Sequence, residues 1–156
     1  MRRLLVDLNV VLDVLLDREP HAAASAALWA AVEEGRVGGL VPAHGVTTIF
    51  YLVAKERDRT DARRVVSDLL AVFGVAAVDE AVLRRAAALE MPDFEDAVAA
   101  AAAEAAGCDA IVTRDPAGFG GSPVEAIEPL LALAALESEV HEAAAVYGRR
   151  RAAHSM

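Results

Sequence analysis

The chain has 156 residues, 56% of them apolar and only 4% aromatic, enough for one domain with a real core and too apolar for general disorder. A formal net charge of −9 argues against broad, nonspecific binding to nucleic-acid backbones, which depends on Lys and Arg neutralising phosphate. Charge, Gly or Pro interrupts every apolar stretch well before 18 residues, so no membrane span is expected.

Arg2 and Arg3 ahead of an apolar stretch imitate a secretion signal. Asp7, Asn9 and Asp13 break that stretch and no small-residue cleavage site follows, so a first buried strand of a cytoplasmic protein is the better reading. Residues 3–6 form that strand and end at Asp7, and residues 10–16 then carry an apolar helical face. After the break at 17–20, an alanine-rich helix runs over 21–34 and stops at Gly35. A strand is expected around Leu40 and Val41, a helix over 45–55, a charged turn over 56–61, and a helix to about Phe73. Residues 75–78 read as a strand, and Asp79 can cap a helix over 80–90. Asp93 can cap the next helix, 94–106, which Gly107 ends. A strand over 109–113, a turn over 115–121 and a last strand over 124–127 follow. Pro129 suits the first turn of a closing helix, and the chain is expected to fray from about Gly148. The alternation predicts an α/β fold, a central parallel sheet flanked by helices. The division expected is a single domain over 1–147 with a basic, flexible tail over 148–156.

Open parallel sheets hold their ligands beyond the carboxyl ends of the strands. Asp7 follows the first strand, Asp115 follows the strand ending at Thr113, and Asp93, Glu95 and Asp96 crowd the first turn of one helix. Asp93 and Asp96, three apart, share a face; Glu95 points about 100° away from Asp96. Asp96 adjoins a helix that is almost wholly apolar, so it is expected to look toward the helix–sheet interface, where a carboxylate is costly unless paired or bound to metal. Each acid alone has a plain explanation as a turn former or cap. Together, converging carboxylates suit a hard divalent cation, Mg2+ or Mn2+, which can promote phosphodiester hydrolysis.

The remaining reactive side chains add little. Cys108 is alone, follows Gly107 and reads as a small buried thiol, with no disulfide and no evident histidine base. His44 precedes a helix and reads as a capping or surface residue rather than as a metal ligand, the other role weighed for it; His21 follows Pro20, and His141 and His154 lie in a charged tail. Arg57, Arg59, Arg63 and Arg64, and separately Arg149, Arg150 and Arg151, form local basic groups that are either solvated surface or contacts for RNA or an acidic partner.

The stretches Leu5–Asp13 (LVDLNVVLD), 93–97 (DFEDA) and 111–116 (IVTRDP), with Phe119 beyond, resemble the PIN domain family, in particular the branch of VapC-type toxins. The resemblance spans about residues 3–135. It implies a PIN-like three-layer sandwich and an endoribonuclease acting on single-stranded or loop RNA. It also implies a cytoplasmic toxin with an antitoxin partner and a homodimeric state. It would make Asp7, Asp96 and Asp115 the ligands of Mg2+ or Mn2+, with Asp93 an outer acid orienting water and Asn9 and Thr113 supporting them. Cleavage would leave a 5′-phosphate and a 3′-hydroxyl. Many relatives carry a further glutamate on the helix expected here over 45–55, where this chain has Thr48 and no acid between Leu40 and Ala54. Two other readings stay open: a catalytically weak PIN-like RNA- or protein-binding module, and a HAD-like phosphatase or receiver domain. Against the latter, Leu8-Asn9 does not supply the Asp-x-Asp of a phosphatase, and no late Lys serves a receiver.

Overall fold

Short runs rich in Val, Leu and Ile form the strands because branched side chains pack well on a pleated surface. In a computed structural model describing residues 1–154, five of them build one parallel sheet: β1 (Arg3–Val6), β2 (Gly38–Pro42), β3 (Gly74–Ala76), β4 (Ala110–Val112) and β5 (Ala126–Ile127). Their spatial order is β3-β2-β1-β4-β5. The chain therefore starts at the centre, moves outward to β3, and returns to the other side of β1. Leu5 lies opposite Leu40 on one side and Ile111 on the other.

Alternate residues of the strands face opposite layers. Leu4, Val6, Val41, Ala110 and Val112 join one core with α1 (Leu8–Leu15), α2 (Ala22–Glu33), α3 (Ala43–Glu56), α4 (Arg59–Val72) and the start of α7 (Pro129–His154). Leu5, Ala76 and Ile111 join the other core, against α5 (Glu80–Ala88) and α6 (Phe94–Ala105). Each fully buried Leu, Ile or Val contributes roughly 1.5–3 kcal/mol by leaving water. The period of two thus produces the three-layer α/β sandwich that the alternation predicted. On α6, Ala97 to Ala103 are all buried; small side chains let that helix lie close against the sheet.

Asp79 and Asp93 cap α5 and α6, accepting from the Val82 and Asp96 N–H groups at 2.9 Å each, and Gly107 adopts φ +68° just past α6. The expected turn over 115–121 contains a short 3₁₀ helix, Pro116–Phe119. The helix α7 continues through Gly148, where the sequence suggested fraying, to His154. Alanines at 143–145 favour helix, and Arg151 and His154 in the last turn complement the helix dipole. Ser155 and Met156, the end of the stretch expected to be a flexible tail, lie outside the described residues. Among the described residues no helix is long and apolar enough to cross a membrane.

Candidate metal centre

The order of the strands creates a switch point between β1 and β4, because connections leave the two strands toward opposite edges of the sheet. A crevice opens there at the carboxyl ends. Asp7 sits at the end of β1, and Thr113, Arg114 and Asp115 at the end of β4.

Asp7 is fixed at both oxygens. Its Oδ1 accepts the Leu8 N–H at 2.8 Å and so caps α1, while its Oδ2 accepts the Thr113 hydroxyl at 2.9 Å. Thr113, fully buried, also accepts from Asn9 Nδ2 and from the Asp115 N–H, each at 3.2 Å. Asn9 Oδ1 in turn accepts the Arg114 N–H at 3.4 Å. The loops after β1 and β4 are thereby tied through one hydroxyl and one amide. Burial pushes the Asp7 carboxyl above its ordinary pKa, opposed by the bonds from Thr113 and Leu8; the nearby Glu95 charge raises it and His44 lowers it.

Asp7, Asn9, His44, Glu95 and Asp96 line a cavity of about 150 Å³. Asp115 stands beside it: a Cβ built on Gly118 would lie 3.0 Å from Asp115 Oδ2 and 3.5 Å from Asp96 Oδ2, so the missing side chain leaves the gap between those two carboxylates open. Asp93 remains the cap of α6, next to the cavity rather than lining it. Glu95, set aside because of its 100° offset from Asp96, does line the cavity, since the first turn of α6 faces the crevice from above. His44 departs from its expected role too. The cap position of α3 is Pro42, His44 lines the cavity, and its Nδ1, sealed from solvent, has no hydrogen-bond partner. A buried polar atom left so costs about 1–3 kcal/mol. Cys108 carries no chemistry here: burial pushes its thiol up to about 11.

Asp96 feels all of this negative charge. Desolvation first, then Asp93, Asp7, Glu95 and Asp115, push its carboxyl up to about 6. The ion pairs among the described residues leave all five acids out. Among the described residues, no three Asp, Glu, His or Cys side chains stand as a ready-made ligand set for a metal ion. The donors nevertheless fit a divalent cation: oxygen-rich, uncompensated, with an open cradle at Gly118 and His44 in the lining.

A pH dependence follows. A carboxyl whose folded pKa is raised favours folding below its unfolded value near 3.8 and loses that contribution as pH rises through about 6. Without added metal, thermal melting should therefore occur at a higher temperature at pH 5 than at pH 7. Mn2+ uptake should run the other way, strengthening as pH rises through about 6. Calorimetry at pH 5, 6 and 7 reads both, and equal Mn2+ affinity at all three values would contradict the assignment of Asp96.

A parallel sheet with an acidic pocket at its switch point places the chain among α/β proteins with a crevice at the carboxyl ends of the strands. The sequence model of the PIN domain matches residues 3–117, and the chain belongs to that family. This sets aside the phosphatase and receiver readings. Solved structures agree on the fold. A toxin–antitoxin complex from Klebsiella pneumoniae is 19% identical with a TM-score of 0.62, over 80% of this chain and 96% of that one. VapBC2 from Rickettsia felis, bound to a DNA fragment of its promoter, is 11% identical with a TM-score of 0.63, over 81% and 98%. VapC20 of Mycobacterium tuberculosis, a sarcin-ricin-loop-cleaving toxin, is 16% identical with a TM-score of 0.58, over 69% and 86%. No curated protein matches the chain by sequence.

Proposed function

We propose that the protein is a Mg2+- or Mn2+-dependent endoribonuclease, the toxin of a toxin–antitoxin pair, acting on single-stranded or loop RNA in the cytoplasm. What supports this reading is that Asp7 and Asp96 line one cavity at the switch point, with Asp115 facing Asp96 across the space that Gly118 leaves. A divalent ion held by these three would polarise the phosphodiester and activate water. The chain's own groups do the rest. Thr113 and the Leu8 N–H hold the Asp7 carboxylate in one orientation. Asp93, by capping α6, fixes the first turn that presents Asp96. Asp93 or Asp96 would orient the attacking water by hydrogen bonding.

An antitoxin partner is supported by the Klebsiella and Rickettsia neighbours, both described as complexes of this kind. The apolar faces of α2 and α3 offer docking surface. Phe50, Tyr51 and Leu52, with Lys55, Arg59 and Arg63, line an open groove on α3 and α4, and Tyr51 is 78% exposed. A homodimer belongs to the same reading.

The test is digestion of RNA by the purified chain with Mn2+, Mg2+ or chelator, with product ends mapped. Cleavage should require the ion and leave 5′-phosphates. Gly118→Ala should lower the rate about 10-fold or more, because its Cβ fills the gap between Asp96 and Asp115, at little cost in melting temperature. Cleavage that survives chelation, or Gly118→Ala at full rate, would sink the assignment. A second reading, a PIN-like module that binds RNA or protein and cleaves poorly, is favoured by the lack of a ready ligand set among the described residues. Ion uptake without any cleavage would select it.

A further inference from the structure

We propose that His44 supplies the donor that α3 lacks in acid form, and that its imidazole biases the pocket toward Mn2+ over Mg2+. This rests on the metal-site reading above and adds a ligand and a selectivity to it. The strand β2 runs beside β1, so the first turn of α3, which begins at Ala43 directly after β2, reaches the same sheet edge as Asp7. His44 lines the cavity with Asp7, Glu95 and Asp96, and its ring makes no hydrogen bond among the described residues. Its backbone is anchored, since the Thr47 hydroxyl donates to the His44 carbonyl at 3.0 Å. No acid lies between Leu40 and Ala54, and Thr48 does not line the cavity, so His44 is the side chain through which α3 can meet a cation there. Imidazole discriminates between ions that carboxylates treat alike. Both ions favour oxygen, but Mg2+ is the more exclusive, and Mn2+ accepts an imidazole nitrogen among its ligands more readily.

Titration calorimetry of the full chain with Mn2+ and with Mg2+, in wild type, His44→Asn and His44→Glu, tests this. His44→Asn should lose roughly 10–100-fold in Mn2+ affinity, the range seen when groups supporting a metal site are removed, with a smaller change for Mg2+. His44→Glu should bind Mg2+ more tightly than wild type does, lowering the Mn2+ to Mg2+ ratio. In the wild type, Mn2+ should broaden the ring resonances of His44 before those of His21, His141 and His154, a readout that needs no variant to fold. His44→Asn with an unchanged ratio, or His44 resonances untouched at saturating Mn2+, would overturn the inference while leaving the metal site standing. Wild type that binds neither ion would overturn the metal site and this inference with it.

Discussion

Asp7→Asn should abolish ion-dependent RNA cleavage, with a loss on the order of 10²–10³-fold, the size seen when one preorganised charge-stabilising group is removed from an active site. The fold should survive. Asp7 combines three tasks: it caps α1, accepts from Thr113, and presents negative charge to the cavity. Thr113 already accepts from Asn9 and Asp115, so its hydroxyl hydrogen has only residue 7 to donate to. An asparagine has one oxygen to divide between that hydroxyl and the Leu8 N–H, and one bond of about 1 kcal/mol is lost. Against this loss stands the removal of a desolvated charge whose carboxyl sits above its ordinary range. Melting should therefore move by only a few degrees while Mn2+ uptake and cleavage collapse together. A variant that cleaves at the wild-type rate would remove Asp7 from the chemistry; one that fails to fold would make it a structural cap first.

The sequence made the layered fold and the three separated aspartates legible because both follow from local rules. A strand shows its period of two, and an acid directly after a strand lands at a sheet edge whatever the rest of the chain does. What local rules could not supply was the neighbour across the edge. On one helix Glu95 and Asp96 are offset by about 100°, but whether both face a cavity depends on how α6 sits over the crevice. A histidine near a helix start, such as His44, reads as a cap, yet β2 ends at Pro42 and places the following turn beside β1. Its proximity to the position of the absent glutamate was the one available signal. In the sequence Asp13 is only a charge that breaks an apolar stretch. Its partner lies about 100 residues away, at a distance no spacing rule spans.

That partner is Arg114, and Arg114→Met should destabilise the fold by about 3–5 kcal/mol, the cost of leaving a buried charge without its counter-charge. Asp13, on α1, is fully buried, and Arg114 Nε lies 2.7 Å from its Oδ2. The approach is too oblique for a hydrogen bond, and both Asp13 oxygens lack any other partner, so the attraction is chiefly electrostatic and Asp13 depends on this one cation. In a domain of this size the loss corresponds to a fall in melting temperature on the order of 10 °C. The backbone of Arg114 joins Thr113 to Asp115 and donates to Asn9, so the same pair pins α1 against the loop that carries two of the site's residues. Thermal and urea unfolding would read the effect, and a melting temperature within about 2 °C of wild type would show that the pair holds nothing. Asp13→Leu combined with Arg114→Met should recover much of the stability, because the desolvation penalty disappears along with the attraction. Recovery of stability without recovery of Mn2+ affinity would then separate the two duties of the arginine, neutralising α1 and positioning the loop that ends at Asp115.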